Sequence, residues 1–137
     1  MATADENLRE LALCLDQLAL AYRFVKNDFE ELDYPSAPSS DYNRLCELAR
    51  ERFPDFGWYQ QLSNIEVQNE EAAILTHDAL DDIADIALAL DEVRWCWENT
   101  SHDDAMWHFK FGYESHWGDH LRHLQLYVHV LKRGQTT

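Results

Sequence analysis

Residues 4–32, ADENLRELALCLDQLALAYRFVKNDFEEL, place Leu8, Leu11, Leu15, Leu18, Tyr22, Val25, Phe29 and Leu32 at unbroken three- and four-residue spacing. A helix turns by about 100° per residue, so this spacing sets all eight on one apolar stripe. Thr3 followed by Glu6 has the form of a capping box, in which each side chain satisfies an amide that the helix start leaves bare. The pattern predicts a first helix from Ala4 to Leu32. Pro35, Pro38 and the serines between Tyr34 and Ser40 then stop it and open a surface loop.

Outward from there, Tyr42, Leu45, Leu48 and Ala49 predict a short helix from Asp41 to Arg52. Phe53-Pro54-Asp55-Phe56-Gly57-Trp58-Tyr59 breaks it, an aromatic turn expected to cover one end of a bundle. Leu80, Ile83, Ala87, Leu90, Arg94 and Trp97 form the inner stripe of a long third helix from Glu70 to Glu98. Ser101 with Asp104 has capping form, and a last helix runs from His102 to Arg133 with Gly134 at its end. The expected fold is all-α: an up-and-down bundle of three long helices plus one short helix, a single domain over residues 1–137.

Composition narrows the function classes. Apolar residues make up 46% of the chain, with five Trp, enough to build a core. Against 26 Asp and Glu stand 11 Lys and Arg, and the resulting net charge of −15 repels nucleic-acid phosphates and anionic lipid surfaces. The apolar stretches fall short of the roughly 18 residues a membrane span needs. Asp5 and Glu6 stand where a signal peptide would carry basic residues. Cys14, Cys46 and Cys96 show no C-x-x-C spacing, which fits reduced thiols in a cytoplasm. With four glycines in all, the chain has no phosphate-cradling loop and no nucleophile elbow.

Two constellations stand out. Asp78, Asp81, Asp82, Asp85 and Glu92 fall on the side of the third helix nearly opposite its apolar stripe, an outward acidic face suited to a protein partner with a basic surface. His116, His120 and His123 recur at i, i+4 and i+7 on the last helix. Angular bookkeeping sets His116 and His120 among Phe109, Tyr113, Leu124, Tyr127 and Leu131, toward the core, where imidazole nitrogens need partners such as Tyr22. The His-x-x-x-His spacing also suits two metal ligands on successive turns, with Asp85 or Glu114 completing the set. Trp117 after the first His, where a zincin needs Glu, excludes that protease class. Arg94 on the inner stripe requires an acceptor or a snorkelling path. Gly112 and Gly118, each unfavourable in a helix by roughly 1 kcal/mol, point to close approach of another helix.

Asp81-Asp82-Ile83-Ala84-Asp85-Ile86 and the run from Trp107 to His120, WHFKFGYESHWGDH, resemble the signature of a bacterial family, the domain of unknown function DUF5063. The resemblance is good over residues 78–131 and faint before them, with an acidic D-D-x-A-D-I segment and an H-W-G-x-H run. The family pattern often carries Arg where this chain has Asp119. The resemblance implies a helical protein in a bacterial cytoplasm and implies no activity. It singles out Asp81, Asp82, Asp85, His116 and His120.

Two functions follow as expectations. The favoured one is a non-enzymatic acidic helical module, regulatory or immunity-type, that binds a protein partner through Asp78, Asp81, Asp82 and Asp85. The alternative is a metal-binding protein or metal-dependent enzyme that uses His116 and His120. No cofactor is required by the sequence, a divalent metal being the one it accommodates, and the long apolar stripes also admit a homodimer.

Overall fold

The computed structural model describes residues 2–63, 65–66 and 72–135. It is mostly helical. Helix α1 spans Ala4–Phe24, α2 Tyr42–Arg52 and α3 Ala79–Asn99. Helix α4, His102–Gly112, continues through a π-helical segment, Tyr113–Trp117, into α5, Gly118–Gln135.

The Thr3 and Glu6 capping box forms in both directions, with Thr3 Oγ1 accepting from the Glu6 amide at 3.1 Å and Glu6 Oε2 from the Thr3 amide at 3.3 Å. Helix α1 nevertheless stops at Phe24, short of the expected Leu32. Beyond it the chain crosses to the connection between α3 and α4. There the Asp28 amide donates to Asp103 Oδ1 at 3.4 Å, and Ser101 donates to the Glu30 carboxylate. These ties replace another two turns of helix, and Phe29 and Leu32 end up exposed rather than on a buried stripe.

The expectation of an all-α fold needs correction. Strands β1, Trp58–Leu62, and β2, Ile74–Asp78, pair antiparallel, with Trp58 opposite Asp78 and Tyr59 opposite His77. Trp, Tyr, Ile and Thr favour extended backbone, which is why these two segments pair once brought together. The third helix was expected from Glu70; Glu70 and Glu71 lie outside the described residues, and Ile74–Asp78 is strand. Helix α3 begins where the Asp78 carboxylate accepts the Leu80 amide at 3.0 Å. The hairpin is anchored at its base. The Gly57 amide donates to Tyr127 Oη on α5 at 3.0 Å, and the Ala79 amide to the Gly57 carbonyl at 3.1 Å.

Helix α3 packs against α2, α4 and α5, and α1 packs against α5. Leu8, Leu15 and Ala19 meet Ile86, Phe109, Trp117, Leu121, Leu124 and Val128 in the core. Because α3 has neighbours on several sides, made possible by small residues such as Ala79 and Ala84, it buries more than the one stripe its apolar spacing marked. Asp82, placed by angle on an outward face, is 1% exposed, and Asp78, Asp81 and Asp85 are half-buried. Arg94, expected on the inner stripe, has its side chain 73% exposed. No helix among the described residues is long and apolar enough to cross a membrane.

The two helical glycines do not serve an approach between helices. They frame the π segment. A Cβ on Gly118 would lie 2.3 Å from the Tyr113 carbonyl oxygen, the oxygen that accepts the Gly118 amide five residues on. A Cβ on Gly112 would lie 2.9 Å from Trp117 Nε1. The wide turn thus closes only over residues without side chains.

Candidate functional site

The long helix and α3 run side by side, and His120 near the start of α5 faces Asp82 and Asp85, one turn apart on α3. His120 Nδ1 lies 2.6 Å from Asp82 Oδ1, and its Nε2 lies 3.3 Å from Asp85 Oδ2. Asp82 is also held from the other side, since Tyr59 of β1 donates its hydroxyl to Oδ2. A carboxylate fixed by a phenol and buried to this degree accepts the Nδ1 proton and sets the imidazole tautomer and plane.

His116, one turn earlier in the π segment, is exposed, and its ring centroid stands 4.9 Å from that of His120. Donor atoms of Asp85, His116 and His120 all lie within 4.8 Å of one another. Asp81, Asp82 and His120 form an overlapping group. In that second group the acids are already engaged, Asp82 by Tyr59 and His120 and Asp81 by the Tyr42 hydroxyl of α2. Asp85, whose neighbours are imidazoles and Asp81, is the better placed ligand.

The electrostatics agree with this division. The hydrogen bond that His120 donates to Asp82 raises the histidine above the ordinary imidazole range, against the opposing effect of burial. Burial, then the charge of Asp81, raises Asp85 above the usual carboxylate range. Burial and the hydrogen bond to Asp82 raise Tyr59, which stays a neutral donor. An acid pair beside an imidazole with a raised pKa is a site short of positive charge.

Two cavities meet at His116. One, about 480 Å³, is lined by His77, His116, Asp119, His120 and His123. The other, about 380 Å³, is lined by Asp85, Glu92, His108, His116 and Trp117. His77 and His123 stand with ring centroids 4.9 Å apart, and burial followed by the charge of His77 lowers His123 below its ordinary range.

Of the residues singled out in the sequence, Asp81, Asp82, Asp85, His116 and His120 come together; Asp78 instead caps α3. Glu114, the other candidate carboxylate, lies beside Tyr22, and Tyr22 stacks on Tyr113 at 3.9 Å rather than serving a histidine. Sequence reasoning missed Tyr59 and Tyr42, whose positions depend on the hairpin and on α2. It also missed the π segment, for which Gly112 and Gly118 were the available signal.

Among curated proteins and among solved structures nothing matches the chain. The family model described as Domain of unknown function (DUF5063) matches residues 1–132, nearly the whole length. The chain, with the Asp-Asp-x-Ala-Asp-Ile face of α3 set against the His-Trp-Gly-x-His turn, belongs to the DUF5063 family.

Proposed function

We propose that this protein binds a divalent transition-metal ion through Asp85, His116 and His120, with coordination positions left open toward the histidine-lined cavity. One observation carries the reading: buried Asp82 holds His120 Nδ1 at 2.6 Å while Nε2 points at Asp85, 3.3 Å away. Metal-binding histidines characteristically give their second nitrogen to such a carboxylate, which fixes the tautomer and raises ligand basicity. Two imidazoles and one carboxylate suit Zn²⁺ or Fe²⁺ and leave room for a substrate. An ion held this way supplies Lewis acidity to a bound water or carbonyl. His123, kept neutral by burial and His77, is then a proton acceptor within the same cavity. This arrangement favours hydrolytic chemistry on a small polar substrate.

The test is elemental analysis of chain purified without affinity tag or chelator, paired with thermal melts in Zn²⁺, Fe²⁺ and EDTA. The expected result is bound ion, a melting point that rises with free metal as linkage requires, and, in His116→Gln/His120→Gln, one equivalent less of ion and a smaller rise. Equal metal content in that variant and the parent would overturn it.

The alternative of an acidic module docking on a basic protein draws on the net charge of −15 and on Leu13, Leu20 and Phe24, all exposed along α1. Its acidic patch is reduced, because Asp82 is buried and Asp85 faces His120. Co-purification of a basic partner that is lost on reversing Asp78 and Asp81, with no metal bound, would favour it.

A further inference from the structure

The unit built around His120 recurs farther along the same pair of helices. His108 of α4 has Nδ1 2.8 Å from Glu92 Oε1 and Nε2 3.6 Å from Asp104 Oδ1. In each unit a carboxylate of α3 takes Nδ1 and a second carboxylate faces Nε2: Asp82 and Asp85 for His120, Glu92 and Asp104 for His108. The His108 unit has one donor the other lacks. Cys96, buried on α3 one turn beyond Glu92, brings its sulfur within 4.8 Å of the Asp104 and His108 donor atoms.

We propose that Cys96, Asp104 and His108 form a second metal site, selective for a borderline-soft, tetrahedral cation of the Zn²⁺ type, with Glu92 orienting His108. Two pairs at i, i+4 spacing, Glu92 with Cys96 and Asp104 with His108, face each other across antiparallel helices. That geometry brings the donor atoms of Cys96, Asp104 and His108 together, with Glu92 behind His108 on its other nitrogen. A tetrahedral ion at about 2.0–2.3 Å from each donor sets the donors roughly 3.3–3.8 Å apart. Closure therefore needs side-chain movement of about an ångström at most. As the sulfur–metal bond forms, the Cys96 S–H proton leaves to solvent.

The surroundings hold the donors in place. Thr100 Oγ1 donates to Asp104 Oδ2 at 2.6 Å, and Ser101 caps α4 by accepting the Asp104 amide at 2.9 Å. An ion there would clip the turn between α3 and α4 from inside, a structural role. His108 and His120 are twelve residues apart, on the order of 18 Å along a helix, so one ion does not serve both.

The test titrates metal-free, full-length chain with Co²⁺, read by the near-ultraviolet charge-transfer band that only thiolate ligation gives. The expected result is a band that saturates within two equivalents in the parent chain and at one equivalent in His116→Gln/His120→Gln, and that is absent in Cys96→Ser. In His108→Gln it needs at least about tenfold more Co²⁺. It persists in His116→Gln/His120→Gln, so failure of the first site leaves this signal intact. No band in the parent chain, or a band of full intensity in Cys96→Ser, overturns the proposal. So does loss of the band in the His116→Gln/His120→Gln protein. If Cys96→Ser fails to fold by circular dichroism, an unchanged titration in His108→Gln overturns it alone.

Discussion

Replacing Asp82 by Asn keeps the shape of a buried side chain and removes the charge on which the first site turns. Asp82 satisfies two donors, Tyr59 with one oxygen and His120 with the other. Asn has a single acceptor oxygen, so one of its contacts must be to the amide N–H₂. If the oxygen stays with Tyr59, the amide faces His120 Nδ1 and forces the proton to Nε2, where it blocks ligation. A hydrogen bond to a charged group contributes about 1.5–3 kcal/mol, so the metal-free protein should lose about 2–3 kcal/mol. With about 2.1 cal/mol/K of unfolding entropy per residue over the chain, that is a fall in Tm of roughly 7–10 °C. Metal affinity should fall about 10–100-fold, the usual effect of losing such an outer partner. The assays are calorimetric melts in EDTA and a competition titration with a chromophoric chelator. A Tm within about 2 °C of the parent, together with affinity within about threefold, would refute the argument that Asp82 sets the His120 tautomer.

Further perturbations follow from the same geometry. Gly118→Ala drives a Cβ to 2.3 Å from the Tyr113 carbonyl and should cost about 1–3 kcal/mol by urea denaturation. Gly57→Ala, with nothing within 4 Å of its added Cβ and no positive φ, should be neutral or stabilise by up to about 1 kcal/mol. The contribution of His120 to the stability of metal-free chain should fade as pH rises from 6 to 8. The histidine's folded value is raised, so this contribution is complete below the unfolded value and fades as pH climbs through the folded one, while His123, lowered by burial, contributes in the opposite sense. Subtracting the His120→Gln profile isolates the histidine part, and a rising difference would contradict the assignment. Saturating metal should reverse the trend, because protons and the ion compete for His120. Burial raises the Cys96 thiol to about 11, so in metal-free chain at pH 7.5 a maleimide should label exposed Cys14 quickly and Cys96 only on unfolding, as peptide mass mapping would show.

Leu8, Leu15 and Ala19 face the core as their spacing on α1 dictates, and the starts of α1, α2 and α4 sit at Thr3, Asp41 and Ser101. These are local properties, set by periodicity and by a side-chain oxygen next to bare amides, so one sequence reveals them. The long final helix also runs from His102 as its pattern requires. The identity of the key side chains was equally legible, in the acidic segment of α3 and the paired histidines.

Which way those side chains face was decided by tertiary structure. Angle alone set Asp82 and Asp85 outward, opposite Leu80 and Ile83, on the premise that α3 has one buried side. Packing against α2, α4 and α5 removes that premise and turns the carboxylates onto His120. The hairpin is a pairing of residues distant in sequence, and only that pairing delivers Tyr59 to Asp82. The π segment depends on a carbonyl occupying the space Gly118 leaves open, a contact that propensity does not encode. Residue type alone limits which side chains can ligate or exchange protons; packing selects which of them share a site, because side-chain convergence depends on the neighbours of a helix as well as on its own period.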